Sequence, residues 1–194
     1  MFKSFLIIIF VINFQSLAKA EKITDFEVEG ITVGDSLLLY MNKDDIKNND
    51  LNYYSNDSKF TAINFIGKKD TYEYVIVYIK RNDSDYKIHL IRAINLIKGK
   101  NDCIKSKKII EKEMKSLFKK ATFQEGSQKH YHYKKSTQYI SQFYYGTDGR
   151  FSDGARVECL ILDEDDKKEF EIESSTLEVI VQYGGEFGRW LETQ

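Results

Sequence analysis

The sequence predicts a single α+β domain built on an antiparallel sheet, with one long helix and a short amino-terminal helix packed on it. Alternating apolar residues indicate about six strands, which follow one another in two runs of three. A long helical pattern separates the two runs, and a shorter helical pattern precedes the first run. Strands joined in succession by short turns favour antiparallel pairing, because parallel neighbours need a long crossover connection.

Residues 1–20 have the pattern of a cleaved signal peptide. Lys3 supplies a positive charge, residues 5–14 are almost wholly apolar, and Ala18-Lys19-Ala20 has the small residues of a cleavage site. An uncleaved signal anchor is the alternative, but a bilayer core needs about 20 apolar residues. We therefore predict export to the periplasm and a mature domain over residues 21–194 that has no membrane span.

The first half of the mature domain is predicted to begin with an extended segment at 25–33. The apolar run at 37–41 then predicts a short helix that Asp35 or Ser36 can cap, and a second short helix follows from Asn42. A polar loop covers 48–59. The three strands of the first run are predicted at 60–66, 72–80 and 86–97. Because both faces of the strand at 72–80 are apolar, we expect this strand in the interior of the sheet.

The second half of the domain begins with the strongest helical pattern, which spans 103–121 and can be capped by Asn101 or Asp102. One apolar face is predicted for this helix, made of Cys103, Ile110, Met114, Leu117, Phe118 and Ala121. Strands are predicted at 137–145, 155–162 and 177–183, with a solvated acidic loop at 163–166 between the last two. At the carboxyl end, Trp190 is expected to dock with Phe187 and Leu191. A Trp190 exposed for ligand binding is the alternative.

The two cysteines are predicted to form one disulfide bond. Cys103 lies on the apolar face of the long helix, and Cys159 lies on an apolar side of the strand at 155–162. A helix packed on the sheet would cover both thiols, and an exported protein meets an oxidising compartment. A reactive thiol at the helix start, where the pKa of cysteine falls, is the alternative.

The charge balance argues against a nucleic-acid partner. The formal net charge is −1 for the full chain, and loss of Lys3 and Lys19 with the signal peptide moves it to −3. Lysines and acidic residues alternate along the chain, whereas nucleic-acid binding requires a clustered basic surface. We therefore expect a solvated surface of mixed charge.

Two short segments match the blocks of GDSL-type esterases, Gly34-Asp35-Ser36-Leu37 and Gly99-Lys100-Asn101-Asp102. A serine nucleophile needs a base, which that family supplies from an Asp-x-x-His near the carboxyl end. No histidine here follows an aspartate by three residues, and none comes after His132. Both segments are explained as helix starts, so we predict no catalytic residue.

His130 and His132 form a candidate metal pair, because alternate residues of an extended segment point to one side. A zinc site needs at least three protein ligands, and no nearby cysteine or acid completes this set, so no metal or cofactor is predicted. The acidic run at 163–166 also departs from an EF-hand, since Lys167 and Lys168 stand where a ligand and a glycine belong.

The strand at 137–145 carries a candidate binding face made of Tyr139, Phe143 and Tyr145. Amphipathic aromatic rings on one side of a strand can bind sugars, peptides or proteins. Packing of the same rings in the core is the alternative.

Three stretches carry a resemblance to known proteins: residues 23–38, the Asp102-Cys103 helix through Leu117-Phe118, and Val157-Glu158-Cys159. The chain resembles small secreted proteins of AT-rich marine alphaproteobacteria, for which no activity is established. The resemblance implies a periplasmic protein with paired cysteines. We predict a non-catalytic binding module for an envelope protein or a small ligand. A structural partner in an envelope complex and a GDSL-type esterase are the alternatives.

Overall fold

The computed structural model describes residues 22–193, apart from 56, 67–70 and 148–151. The predicted signal peptide at 1–20 therefore lies outside the described residues. Within them the fold is α+β and antiparallel, as the sequence predicts. It contains a seven-stranded sheet, a separate two-stranded hairpin and four α-helices, whereas the sequence predicts about six strands, one long helix and short helices near the amino end only.

The hairpin consists of β1 (Glu27–Val28) and β2 (Ile31–Thr32). The strands of the main sheet are β3 (Phe60–Phe65), β4 (Tyr74–Lys80), β5 (Ile88–Ile97), β6 (Thr122–Lys129), β7 (Thr137–Tyr144), β8 (Gly154–Ile161) and β9 (Ser175–Gln182). The helices are α1 (Lys43–Asn48), α2 (Lys100–Leu117), α3 (Glu164–Phe170) and α4 (Glu186–Leu191). The strand order is β3-β4-β5-β9-β8-β7-β6, so the last strand joins two meanders at the centre of the sheet.

The seventh strand, β6, was not predicted because its side chains are mostly polar on both faces. It is an edge strand that pairs only with β7 among the strands described, and most of its residues are exposed. An edge strand next to solvent needs no apolar alternation, and polar residues there hinder pairing with other chains. Hydrophobic periodicity therefore cannot identify such a strand.

The prediction of a solvated loop at 163–166 is wrong, because these residues open helix α3. The side chain of Asp163 accepts a hydrogen bond from the backbone N–H of Asp165, which caps the helix. Asp166 is buried and accepts hydrogen bonds from the backbone N–H groups of Lys135 and Ser136, at 3.0 and 2.7 Å. The acidic run therefore holds the β6–β7 turn in place.

The short amino-terminal helix is a 3₁₀ turn at Leu37–Leu39, capped by Ser36 as predicted. The long helix begins at Lys100 and ends at Leu117, earlier at both ends than the predicted 103–121. Gly99 occupies its N-cap position without a side-chain hydrogen bond. Phe118 leaves helical geometry at the carboxyl end, and its side chain turns into the core, 5.3 Å from the ring of Phe26.

The main core lies between α2, the hairpin and one face of the sheet. Residues of this face and of the amino-terminal segment are almost fully buried, including Ile31, Val33, Leu37, Ile91 and Val179. The predicted disulfide joins Cys103 in the first turn of α2 to Cys159 in β8, with Cα atoms 5.9 Å apart. Both cysteines are fully buried, so the disulfide anchors the helix to the centre of the sheet.

A buried polar cluster also joins α2 to β7. Lys107 is 2% exposed and donates hydrogen bonds to the Glu111 carboxylate, at 3.3 Å, and to the Ser141 hydroxyl. Ser141 in turn donates to Glu111 at 2.7 Å. The predicted apolar face of the helix included neither Lys107 nor Glu111, because charged residues are seldom buried without partners. Here each charged group has a partner inside the core.

Removal of the disulfide should destabilise the fold by up to about 4 kcal/mol, because the bond closes a long loop in the unfolded chain. The double substitution Cys103→Ser/Cys159→Ser tests this in urea unfolding. Reductant should lower the stability of the parent protein to that of the variant and leave the variant unchanged. A parent protein that is insensitive to reductant would contradict the role of the bond.

Loss of the Lys107 charge should lower the free energy of unfolding by about 3 kcal/mol. This value is near the lower end for breaking a buried ion pair, because Glu111 still pairs with Lys115. Lys107→Met tests this in urea unfolding. Lys108→Met, which makes the same change at an exposed position of the same helix, is the control and should change stability by less than about 0.5 kcal/mol. Equal effects of the two substitutions would refute the buried cluster.

Candidate functional site

An open pocket of about 390 Å³ lies on the sheet face opposite α2. Its floor is formed by β5, β9, β8 and β7, and its wall is formed by α4 and by the loop that carries Tyr54. The floor is polar and charged, whereas the wall is largely apolar and aromatic. A mixed lining of this kind is typical of small-molecule sites, where apolar surface gives affinity and a few polar groups fix orientation.

Helix α4 is attached to the sheet by a second, smaller apolar cluster. Phe187 is buried against Phe60 and Tyr78, with ring centres 5.3 and 4.6 Å apart. Glu186 pairs with Lys59 at 2.7 Å and with Lys80 at 2.8 Å. The side-chain hydrogen bonds of these two lysines lower the pKa of Glu186 to about 2. The helix is thus held by both apolar packing and charge.

The carboxyl-terminal residues predicted to dock lie in or beside the pocket wall, with Phe187 and Leu191 in its lining. Trp190 is half-buried and lies edge-on to Tyr54, with ring centres 4.8 Å apart. Leu191 lines the pocket and is 46% exposed at its rim. Docking of this segment is therefore confirmed for Phe187 and Trp190, while Leu191 leaves apolar surface open beside the pocket.

Two adjacent rows of side chains cross the floor of the pocket. In the first row, strand register places Arg92 of β5 and Arg156 of β8 on either side of Ile180 of β9. In the second row, Glu178 of β9 stands directly opposite Glu158 of β8. Two arginines and two glutamates thus come together from three strands.

The Arg92–Glu178 pair is fully hydrogen-bonded. Arg92 donates from Nε and Nη2 to the two carboxylate oxygens of Glu178, at 2.6 and 2.8 Å. Thr176 donates a third hydrogen bond to the same carboxylate at 2.8 Å. A bidentate arginine–carboxylate pair has the strongest geometry for such a contact, so these groups form a rigid part of the floor.

The Arg156–Glu158 pair is incomplete by contrast. Arg156 Nε lies 3.0 Å from Glu158 Oε2, but the contact lacks hydrogen-bond geometry, and neither atom bonds to any other described residue. Glu158 is only 3% exposed, and its other oxygen accepts a long hydrogen bond from Gln138 at 3.5 Å. A buried carboxylate and a guanidinium therefore face the pocket with unused hydrogen-bonding capacity.

The two glutamates differ in their affinity for protons. Burial raises the pKa of Glu158, and the neighbouring charge of Glu178 raises it further against the opposing effect of Arg156. Burial alone would also raise the pKa of Glu178, but the hydrogen bonds and charge of Arg92 outweigh this and lower it. Carboxyl groups whose pKa values are driven apart occur in acid–base catalysis. Arg92 and Thr176 bond to both oxygens of Glu178, whereas Oε2 of Glu158 has no hydrogen-bond partner among the described residues.

His130, one of the two candidate metal ligands, lines the edge of this pocket. Its Nδ1 accepts hydrogen bonds from the backbone N–H groups of His132 and Tyr133, at 3.2 and 3.1 Å. Its ring stacks on Tyr133, and burial lowers its pKa. Nδ1 is therefore occupied by the turn, and His132 lies 6.0 Å away between ring centres. Among the residues described, no three His, Cys, Asp or Glu side chains form a group that could hold a metal ion.

The candidate binding face at 137–145 lies on the opposite side of the sheet from the pocket. Phe143 is 1% exposed and packs between Phe118 and Phe123 in the main core. Tyr139 and Tyr145 are half-buried against the same core, and Lys100 lies 4.8 Å above the Tyr139 ring. Helix α2 covers this face, so Phe143 is placed where it cannot contact a ligand.

The GDSL-like segment forms a turn that joins the amino-terminal region to β5. The Ser36 hydroxyl donates to the Asp85 carbonyl at 2.5 Å and accepts from the Leu38 N–H at 3.3 Å, as a helix cap does. Gly34 has a φ of 91°, which favours glycine, and its N–H donates to the Ile88 carbonyl. Ser36 therefore has a structural partner for each hydrogen-bonding role.

Sequence reasoning missed all four charged residues of the pocket floor. A usable pattern existed, because Arg92, Glu158 and Glu178 each interrupt an otherwise apolar strand. A charged residue inside a buried strand requires a partner or a ligand. What the pattern cannot tell is which charges meet, since Arg92 and Glu178 are 86 residues apart in the chain.

Comparison with protein-family models, with curated proteins and with solved structures finds no match to this chain. Helices within the described ranges are all too short or too polar to cross a membrane.

Glu158→Gln should stabilise the protein at pH 8, and this stabilisation should disappear as the pH is lowered towards 4. The folded protein holds the Glu158 proton to a higher pH than the unfolded chain, where glutamate titrates near 4.5. The free energy of unfolding of the parent should therefore fall as pH rises above 4.5 through the folded pKa. Glutamine does not titrate, so the variant lacks this decrease.

Urea unfolding at a series of pH values measures the difference between the two proteins. Glu113→Gln, at an exposed position of α2 on the other side of the sheet, is the control and should follow the parent profile. A Glu158→Gln variant that is less stable than the parent at pH 8 would show that Glu158 is ionised and well paired.

Proposed function

We propose that this protein is an exported, periplasmic binding module that holds a small ligand in the pocket between α4 and the centre of the sheet. It performs no chemistry of its own. One observation carries the proposal: the Arg156–Glu158 pair faces an open pocket without completing its hydrogen bonds.

An incomplete buried pair is costly unless something else completes it. Polar groups removed from water without a hydrogen bond typically cost about 1–3 kcal/mol each, and charged groups cost more. A ligand whose polar groups complete these hydrogen bonds removes this cost when it binds, and the free energy recovered contributes to its affinity. The neighbouring Arg92–Glu178 pair shows that the same sheet can satisfy an equivalent pair internally.

The size and rigidity of the pocket also support ligand binding. Its volume of about 390 Å³ lies in the range of small-molecule sites, about 300–1,000 Å³. Its polar groups stand on central strands, which hold side chains more precisely than loops do. Little ordering is then required when a ligand enters, and this favours binding.

Export is supported by the disulfide and by the sequence pattern of residues 1–20. Disulfide bonds form and persist in oxidising compartments such as the bacterial periplasm, and they are rare in the cytosol. Cys103 and Cys159 are joined in the core, where they contribute to stability rather than to reactivity. A pocket that opens to the periplasm would meet small solutes and segments of envelope proteins.

Fragment screening by ligand-observed NMR tests the binding module directly. The parent protein should bind fragments that Gln142→Trp displaces, because Gln142 lines the pocket and an indole there would fill it. Gln124→Trp is the matched control, since Gln124 stands opposite Gln142 on the neighbouring strand but does not line the pocket. No fragment binding, or binding that Gln142→Trp leaves unchanged, would refute the proposal.

Native mass spectrometry of protein expressed with residues 1–20 tests the export component. We expect a chain that begins at Glu21 and is lighter by two hydrogens for the disulfide, with those hydrogens restored by reduction. A periplasmic fraction that lacks the protein, or an uncleaved chain, would contradict export without affecting the pocket.

A further inference from the structure

The pocket floor contains two arginine–glutamate pairs that differ in how many of their hydrogen bonds are made. Both consist of an arginine in the first row and a glutamate in the second, on the same face of the sheet. Arg92 and Glu178 satisfy each other, with Thr176 as a third partner. Arg156 makes no hydrogen bond to any residue in the described part of the chain, and its side chain is 37% exposed. Its guanidinium is therefore the group in the floor that is available to a ligand.

The charges around Arg156 leave it as the group that selects the ligand. The negative charge of Glu178 is taken up by two hydrogen bonds from Arg92. The carboxyl of Glu158 is buried beside that charge, which favours its protonated form. Glu192 is exposed and lines the pocket at its rim, and His130 lies at the edge with Nδ1 occupied. Arg156 thus has only the buried Glu158 carboxyl, 3.0 Å from its Nε, as a close acidic neighbour.

A ligand can reach Arg156 through the exposed part of its side chain, because Arg156 Nε and Glu158 Oε2, which lie 3.0 Å apart, are both buried. A guanidinium fork fits the two oxygens of a carboxylate in a planar, bidentate arrangement. Phosphate carries more charge and usually recruits several cationic groups, whereas here one guanidinium is available.

The rest of the pocket fits an apolar body attached to that anion. Ile180 separates the two arginines in the floor, and Tyr54, Phe187 and Leu191 line the wall. Leu191 is half-exposed, so a ligand would cover apolar surface that the fold leaves open.

We propose that the pocket binds a small monocarboxylate with an apolar or aromatic body, and that Arg156 holds its carboxylate. This inference rests on the proposed binding function and names the ligand class. Affinity comes from the apolar body against α4, and selectivity comes from the carboxylate at Arg156.

Calorimetric titration with matched probes tests the assignment. Phenylpropionate supplies the carboxylate, phenylpropanamide is its neutral match, and phenethyl phosphate is the phosphate alternative. We expect phenylpropionate to bind about tenfold or more tightly than either of the others, the effect of one charge-assisted hydrogen-bonded contact.

Two substitutions assign the contact to residues. Arg156→Gln should lower the affinity for phenylpropionate by about tenfold or more and leave that for phenylpropanamide unchanged. Glu158→Gln should retain binding of phenylpropionate, because Arg156 holds the carboxylate and Glu158 is buried beneath it. Lys105→Gln, at an exposed position of α2 on the opposite side of the sheet, is the control and should change neither affinity. Thermal melting of each variant establishes that it is folded.

The possible failures are distinguishable. Equal binding of the amide and the acid would overturn the carboxylate assignment while the binding module stands, and tighter binding of the phosphate would overturn the ligand class. If Glu158→Gln abolished binding and Arg156→Gln left binding unchanged, a cationic group would occupy the site. That result would also overturn the carboxylate assignment. If neither the probes nor the fragment screen gives binding, the ligand class and the proposed function are both wrong.

Discussion

The register of β9 against its two neighbours decides what each face of the sheet carries. β9 is the last strand in the chain, yet it lies at the centre, where it pairs with β5 of the first meander and β8 of the second. Side chains alternate between faces along a strand, so a slip of one residue would move Glu178 into the main core and Val179 out of it. The core and the pocket therefore depend on the same pairing.

The two faces solve the problem of buried charge in different ways. Under α2, Lys107 and Glu111 are enclosed with Ser141, so that the polar groups complete one another inside the core. On the pocket face, one ion pair is complete and the adjacent one is not. The first face is also crossed by the disulfide, which anchors α2. The core face thus completes its buried polar groups, whereas the pocket face leaves unused hydrogen-bonding capacity.

Helix α4 connects the pocket to the rest of the fold. It is a helix of six residues, too short to be stable without its contacts to the sheet. Phe187 and Glu186 supply those contacts through apolar packing and two ion pairs. A ligand against Leu191 would add apolar contact to the same helix, and the proposed binding would then be coupled to the order of the carboxyl end.

The sequence by itself determined the fold class, most of the strands and the pairing of Cys103 with Cys159, because alternation and helical periodicity are local properties of the chain. It could not determine β6, whose edge position needs no apolar pattern, or α3, whose buried Asp166 acts through the distant Ser136. The candidate site was decided by tertiary structure alone. Arg92, Arg156, Glu158 and Glu178 meet only through strand pairing across long separations, and the face that is left open depends on where α2 and α4 pack.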